Sequence, residues 1–185
     1  MTKLYEVYDN FLSEDDYQWM HMVFCTPFQN IAWTWGDKVI SADSTADPLD
    51  NWQFVHNIYY TAIGENDEGK KIVRGGPRSE LHKQMDDVYK RLGVTNLLRV
   101  KANLLPKAQE IVEHGMHNDQ TQLEGHQYTV AIYYLNTNNG YTKLEDGTKI
   151  KSVANRMLVM SGAVKHTGST CTDEKCRVVI NFNYT

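Results

Sequence analysis

The stretch Glu113-His114-Gly115-Met116-His117-Asn118-Asp119 and the later Lys165-His166-Thr167 hold the residue types that bind a metal ion. On an extended chain, residues two apart project to the same side, so the imidazole of His117 and the carboxylate of Asp119 can reach one ion. A third ligand has to come from elsewhere. His166 follows the apolar run Met157-Leu158-Val159-Met160, so it can arrive from an adjoining strand of a rolled sheet. Two imidazoles and one carboxylate on one face leave coordination positions open, the arrangement associated with oxygen chemistry at iron(II). A His-x-Asp pair alone is also what a surface His beside an Asp looks like, in a chain with seven histidines. The order of the features weighs against that plainer reading: a strand Ile132-Tyr133-Tyr134-Leu135-Asn136 soon after the pair, the distal His two or three strands on, and Arg177 after it.

The other histidines lack this pattern. Using His114 as a ligand in the same way requires a carboxylate at Met116, so His114 is expected behind the ligands or in solvent. His21, His56, His82 and His126 have no acidic partner at comparable spacing and are expected to face solvent or to be hydrogen-bonded.

The elements that must position these groups fall into two halves. Leu4 to Tyr8 reads as a short strand, and Ser13 caps a helix whose first turn carries Glu14, Asp15 and Asp16, with Leu12 and Tyr17 placed as a hydrophobic staple. A second helix is expected from Ser79, because Leu81, Met85, Val88, Tyr89 and Leu92 recur at helical spacing and Gly93 follows as a stop; its role is to cover a sheet. Between the helices, residues 36–76 mix aromatic strand-like pieces, Trp52-Gln53-Phe54 and Ile58-Tyr59-Tyr60, with Gly-rich loops. Such a segment can be a lid or a plain connection. Trp52, Phe54 and Tyr60 are expected as core aromatics rather than as the lining of a substrate groove.

From residue 95 onward the pattern is strands alone, near 97–105, 127–136, 140–144, 148–153, 156–161 and 175–184. Regularly spaced short strands after helices predict a mainly β chain with flanking helices, and a jelly roll in particular. Along the closing strand Arg177, Val179, Asn181 and Asn183 fall on one side, and Val178, Ile180, Phe182 and Tyr184 on the other. The uniformly apolar side should pack on the helices, pointing Arg177 into the barrel, where a buried guanidinium needs an anionic partner.

Composition narrows the class. With 185 residues and 41% hydrophobic content, the chain is expected to form one domain spanning 1–185. A net charge of -4 makes nucleic acid a poor partner; Lys70-Lys71 sits beside Glu65, Asp67 and Glu68. No apolar run approaches the roughly 18 residues that span a bilayer, and the amino terminus lacks a signal-peptide pattern, so a soluble, cytoplasmic protein is expected. Cys25, Cys171 and Cys176 are too few and too odd for a disulfide framework or a structural zinc site and read as ordinary thiols.

Taken in order, these residues resemble the prolyl 4-hydroxylase-like group of iron(II)- and 2-oxoglutarate-dependent oxygenases, and in particular small members carried by marine phages. The resemblance runs through Val7-Tyr8-Asp9-Asn10-Phe11-Leu12-Ser13, His117-Asn118-Asp119, Tyr133-Tyr134-Leu135-Asn136, Gly140, Asn155-Arg156, His166 and Arg177. It implies a double-stranded β-helix, His117, Asp119 and His166 as iron ligands, and Arg177 with Tyr134 on the far carboxylate of 2-oxoglutarate. Dioxygen is then the other cosubstrate, ascorbate a supporting reductant, and the reaction hydroxylation of an unactivated C–H bond with release of succinate and carbon dioxide. A peptidyl proline is the implied substrate, a free amino acid or another small molecule the alternative; a phage source would place the protein in the host cytoplasm. Three departures stand out: Leu105 precedes Pro106 where the group carries a Tyr, Asn139-Gly140-Tyr141-Thr142 replaces a double-Gly-Glu-Thr turn, and Val179 stands where a Ser or Thr often follows the basic residue. Asn103 or Thr129 is expected to supply the missing contact to the cosubstrate. Two other classes remain open: a jelly-roll metal-binding or structural module without catalysis, and a zinc hydrolase that takes no 2-oxoglutarate.

Overall fold

A computed structural model of the chain describes residues 4–26, 31–39, 47, 49–65, 71–119 and 127–185. Strand β1 (Tyr5–Tyr8) leads into helix α1 (Glu14–Cys25), and β2 (Thr34–Gly36), β3 (Gln53–Glu65) and β4 (Lys71–Pro77) follow. Helix α2 (Asp86–Leu92) precedes β5 (Leu97–Pro106), β6 (Thr129–Tyr134), β7 (Tyr141–Leu144), β8 (Lys149–Lys151), β9 (Arg156–Ser161), β10 (His166–Gly168) and β11 (Cys176–Tyr184).

Local chemistry accounts for the helix ends. The Ser13 hydroxyl accepts the backbone N–H of Asp16, and the acidic first turn faces the positive end of the α1 dipole. Leu12 and Tyr17 join one apolar cluster, as a staple requires. Thr26 ends the helix in extended conformation, as expected of a residue that precedes proline. The second helix is not continuous from Ser79. A 3-10 turn, Glu80–Gln84, gives way to α2 at Met85, whose φ of -104° and ψ of 9° break the α-helical path. Its side chain is fully buried, and Asp86 and Asp87 supply a fresh acidic first turn. Gly93, at φ 67°, closes α2 in the left-handed region that glycine enters without steric cost.

The strands form an eight-stranded antiparallel sheet, ordered β1-β9-β6-β11-β5-β3-β2 with β4 beside β3, and a three-stranded sheet β10-β7-β8. Alternation along each strand sorts residues between two cores. Outward, Val178, Ile180 and Phe182 of β11 pack with Met20, Val23 and Phe24 of α1 and Val88 and Tyr89 of α2. Inward, Val130, Ile132 and Tyr134 of β6 and Val179 of β11 face Leu144 and Ile150 of the smaller sheet. Two sheets closed face to face in this way make the jelly roll expected from the strand pattern, and the apolar side of the closing strand does lie under the helices.

Residues 36–76 depart from a loop-rich reading. The two aromatic pieces fuse into the single long strand β3, which pairs with β5 through a bulge between Asn57 and Tyr59 and with β4 on its other side. Much of the segment is therefore sheet; residues 40–46, 48 and 66–70 lie outside the described residues. Trp52 and Phe54 are half-buried and meet edge to face at 5.6 Å, while Tyr60 is 37% exposed. None of the three joins either apolar core, although Ile58 of β3 is fully buried beneath the helices. Strand β10 was not anticipated: at three residues it is too short to show alternation.

Candidate metal centre and cavity

His117 and His166 are fastened by their backbones before their side chains do anything. Each donates its N–H to the carbonyl of the other at 3.0 Å, an isolated antiparallel bridge that sets the ring centroids 4.9 Å apart. The remaining ring nitrogens are held from behind: Nδ1 of His117 lies 3.2 Å from the Gly115 carbonyl, and Nδ1 of His166 lies 3.4 Å from that of Val164. A carbonyl can only accept, so both Nδ1 atoms carry the proton and both Nε2 atoms present a lone pair. Asp119 completes the group. Its Oδ1 is 3.6 Å from Nε2 of His117 and 3.7 Å from Nε2 of His166, too far for hydrogen bonds. Its Oδ2 accepts from Arg99 Nη2 at 3.0 Å and Asn183 Nδ2 at 2.8 Å.

The donor set fits a cation. One ligand atom from each of the three residues lies within 4.8 Å of the others, and Nε2 of His166 is buried with no hydrogen-bond partner among the described residues. An orphaned lone pair of this kind costs free energy unless something occupies it. Burial raises the Asp119 carboxyl, but the Arg99 guanidinium, then His117 and His166, override it and hold the group well below the usual carboxylate range. Burial lowers His166, and Asp119 only partly offsets this. The result is an ionised carboxylate beside a neutral imidazole, the protonation states that metal binding demands.

A cavity of about 290 Å³ opens from this group and runs to Arg177. Arg177 is 2% exposed, and burial opposes its charge. Its Nε donates to Ser152 Oγ at 2.8 Å and its Nη2 to Thr142 Oγ1 at 3.2 Å, and no carboxylate pairs with it among the described residues. The fully buried Tyr134 donates to the same Thr142 hydroxyl at 2.8 Å, with its ring 5.6 Å from the guanidinium carbon. Thr142 and Arg177 line the cavity and Tyr134 stands behind them. Asn103 also lines it, 6% exposed, with its amide oxygen unpartnered.

Thr129 does not join this group. It begins β6 opposite Ser161 and Tyr184, and alternation turns it away from the face shared by Val130, Ile132 and Tyr134. His114 is buried at 0% exposure rather than solvated, with its pKa pushed down to about 4, by burial first and then by Arg177. His56 bonds to the Ala32 carbonyl and the Ser79 hydroxyl, and His82 to the Tyr89 hydroxyl; His126 lies outside the described residues. The three cysteines are free thiols.

Sequence reasoning missed Arg99, Lys101, Thr142 and Ser152. Arg99, Lys101, Asn103 and Leu105 alternate along β5 and all line the cavity, so the parity argument made for the closing strand would have found the first two on β5. Thr142 and Ser152 carry no such signal, since β7 is short and Ser152 lies just beyond the end of β8.

No family model and no curated protein matches the sequence. Solved structures do. The chain is similar to an oxidoreductase of the 2OG-Fe(II) oxygenase family from Burkholderia pseudomallei, at 13% identity and a TM-score of 0.66, over 98% of this chain and 85% of that one. It is similar to a prolyl hydroxylase from Trichoplax adhaerens in complex with a hypoxia inducible factor oxygen degradation domain peptide fragment, at 17% and 0.63, over 99% and 84%. A Pseudomonas putida prolyl-4-hydroxylase matches at 14% and 0.58, over 99% and 93%. At these identities the likeness is one of fold, and the chain has the jelly-roll fold of 2-oxoglutarate and iron(II) oxygenases.

Proposed function

We propose that the protein is an iron(II)- and 2-oxoglutarate-dependent oxygenase that hydroxylates an unactivated C–H bond. The observation that carries this reading is the pairing, in one cavity, of an open two-His, one-carboxylate group with a buried guanidinium that has no carboxylate of its own. Iron(II) with 2-oxoglutarate and dioxygen supplies the oxidising power: the substrate C–H becomes C–OH, and 2-oxoglutarate becomes succinate and carbon dioxide.

The chain's own residues position and shield. His117, Asp119 and His166 would hold the metal; Arg99 and Asn183 occupy the outer oxygen of Asp119, so Oδ1 is the one turned toward the imidazoles. Arg177 receives the far carboxylate of 2-oxoglutarate through its bidentate fork, oriented by Ser152 and Thr142, with Tyr134 fixing Thr142. Asn103, between these two ends, is placed to meet the cosubstrate where the group's usual Tyr is replaced by Leu105. The resemblance and the prolyl hydroxylases among the structural neighbours support a peptidyl proline as substrate. A free amino acid or other small acid is the second reading, favoured by the cationic character of the cavity wall. An intracellular setting and a phage source accompany this reading as proposals; no helix among the described residues is long and apolar enough to cross a membrane.

The test is anaerobic loading with iron(II), titration with 2-oxoglutarate followed by the absorption of the chelate, and measurement of succinate on admitting dioxygen with ascorbate present. A site that takes iron or zinc but no 2-oxoglutarate would refute the oxygenase and favour a hydrolase or a binding module.

A further inference from the structure

Lys101 is a cation the proposed mechanism does not use. It sits in the middle of β5, facing Asn181 in register on one side and Asn57 on the other, and its side chain lines the cavity. Among the described residues no carboxylate lies within salt-bridge distance of it. Among the described residues Asp119 is the one carboxylate that lines the cavity, but its Oδ2 is taken by Arg99 and Asn183 and its Oδ1 faces the two imidazoles. Arg177 is four residues further along in register, beside Leu105, or about 13 Å at the rise of a β-strand. Two cations therefore stand at different levels of one cavity, and Lys101 is at the level of the metal-binding group, since its register partner Asn181 approaches Asp119 at 3.5 Å.

Charge balance then bears on what binds there. With iron(II) and 2-oxoglutarate bound, Arg99, Lys101, Arg177 and the metal would bring more positive charge than Asp119 and the two carboxylates of 2-oxoglutarate offset, so the cavity would keep a net positive charge. Among the described residues Lys101 is the cavity cation with no carboxylate of its own and no role in the proposed mechanism. Burying a neutral prolyl peptide over it would strand an ammonium without a counter-ion, a costly arrangement. Beside it, the amide oxygen of Asn181 is buried and unpartnered, an acceptor aimed at the same space.

Resting on the oxygenase reading, we propose that Lys101 is the anchor for the carboxylate of the compound to be oxidised, and that this compound is a small free acid, an α-amino acid whose ammonium donates to Asn181. The register of β5 and β11 makes the two residues direct neighbours on the cavity wall.

The protein is loaded with iron(II) and 2-oxoglutarate under argon, and free L-amino acids, each paired with its own carboxamide, and an internal-proline peptide are titrated by calorimetry into wild type, Lys101→Met and Lys101→Arg. The expected result is an amino acid that binds wild type, with a carboxamide weaker by about 30-fold or more, a similar loss for the acid in Lys101→Met, and partial retention in Lys101→Arg. The carboxamide should bind Lys101→Met no worse than wild type. Equal binding of acid and carboxamide, acid binding unchanged in Lys101→Met, or tighter binding of an internal-proline peptide than of any free acid would overturn the proposal. A Lys101→Met protein that needs far more 2-oxoglutarate in the absence of any amino acid would assign the lysine to the cosubstrate and equally overturn it. Wild type that takes no 2-oxoglutarate would fail at the loading step, marking a failure of the oxygenase reading rather than of the anchor. Circular dichroism of each variant checks folding; replacing a half-buried lysine by Met should not unfold the sheet.

Discussion

At the scale of single residues, His114 and His117 lie three apart but have opposite surroundings. His117 Nε2 turns toward Asp119, whereas His114 is buried and stands outside the ligand group. Replacing His117, Asp119 or His166 by Ala should remove iron binding, measured as metal content after anaerobic dialysis. His114→Ala should keep the metal and instead lower Tm, since it empties a fully enclosed volume. Loss of iron from His114→Ala with retention in His117→Ala would reverse the assignment. Arg177 is tested through the cosubstrate. Arg177→Met should raise the 2-oxoglutarate concentration for half-maximal succinate formation steeply, a charge-assisted contact to a buried partner being worth about 2–5 kcal/mol. Iron affinity should stay put, and an unaltered 2-oxoglutarate dependence in folded, iron-loaded Arg177→Met would make the residue structural.

At the scale of elements, two turns hold the site's frame. Gly140 precedes β7, and a Cβ there would come within 2.7 Å of both Arg177 Cδ and the Thr170 carbonyl. Gly140→Ala must therefore push the guanidinium off Ser152 and Thr142, and it should mimic Arg177→Met in 2-oxoglutarate dependence while leaving iron content intact; a normal dependence would mean that the turn yields instead. Asn155, at φ 58°, ties the segment before α1 to the large sheet. Its amide accepts from Leu12 N–H at 2.9 Å and from the Tyr133 hydroxyl at 2.9 Å, and donates to the Leu12 carbonyl at 3.0 Å. Asn155→Ala strands these buried groups and sets Ala at positive φ, so denaturant melts should show a loss of about 2–4 kcal/mol. A loss below half a kcal/mol would show that the segment before α1 is held mainly by its apolar contacts.

At the scale of the whole molecule, the cavity links ligand binding to stability through Lys101. Burial, then the Arg99 charge, push its pKa down to about 8, against a smaller pull from Asp119; His117, His166 and Arg177 line the same space. An unfolded lysine keeps its proton to about 10.4. Between those values the unfolded chain binds more protons than the folded one, so this group makes unfolding harder as pH rises. Below about pH 8 the folded state carries the cost of a half-buried ammonium beside Arg99. Metal-free Lys101→Met should accordingly be more stable than wild type at pH 7, and the difference should shrink as pH approaches 10; taking the difference cancels the other titrating groups. A gap that stays constant over this range would mean that Lys101 titrates as a solvated lysine.

What is legible in the sequence rests on backbone geometry that needs no tertiary information. Two-residue periodicity put His117 with Asp119 and turned Arg177 away from the apolar side of β11, and a serine before three acids started α1. The same periodicity, had it been carried to β6 and β5, would have excluded Thr129, which alternates with Tyr134, and admitted Arg99 and Lys101. What only the tertiary structure decided are relations between strands far apart in the chain. That His117 and His166 share a backbone bridge, that Arg99 and Asn183 hold the outer oxygen of Asp119, and that Thr142 joins Tyr134 to Arg177 all depend on which strands become neighbours and in what register. Local propensity does not encode register, because the free energy that selects it comes from the burial of both faces of the sheet at once. Lys101 is the sharpest case: in sequence it is one lysine of a polar chain, and only the pairing of β5 with β3 and β11 brings it into the cavity wall, where no carboxylate among the described residues pairs with it.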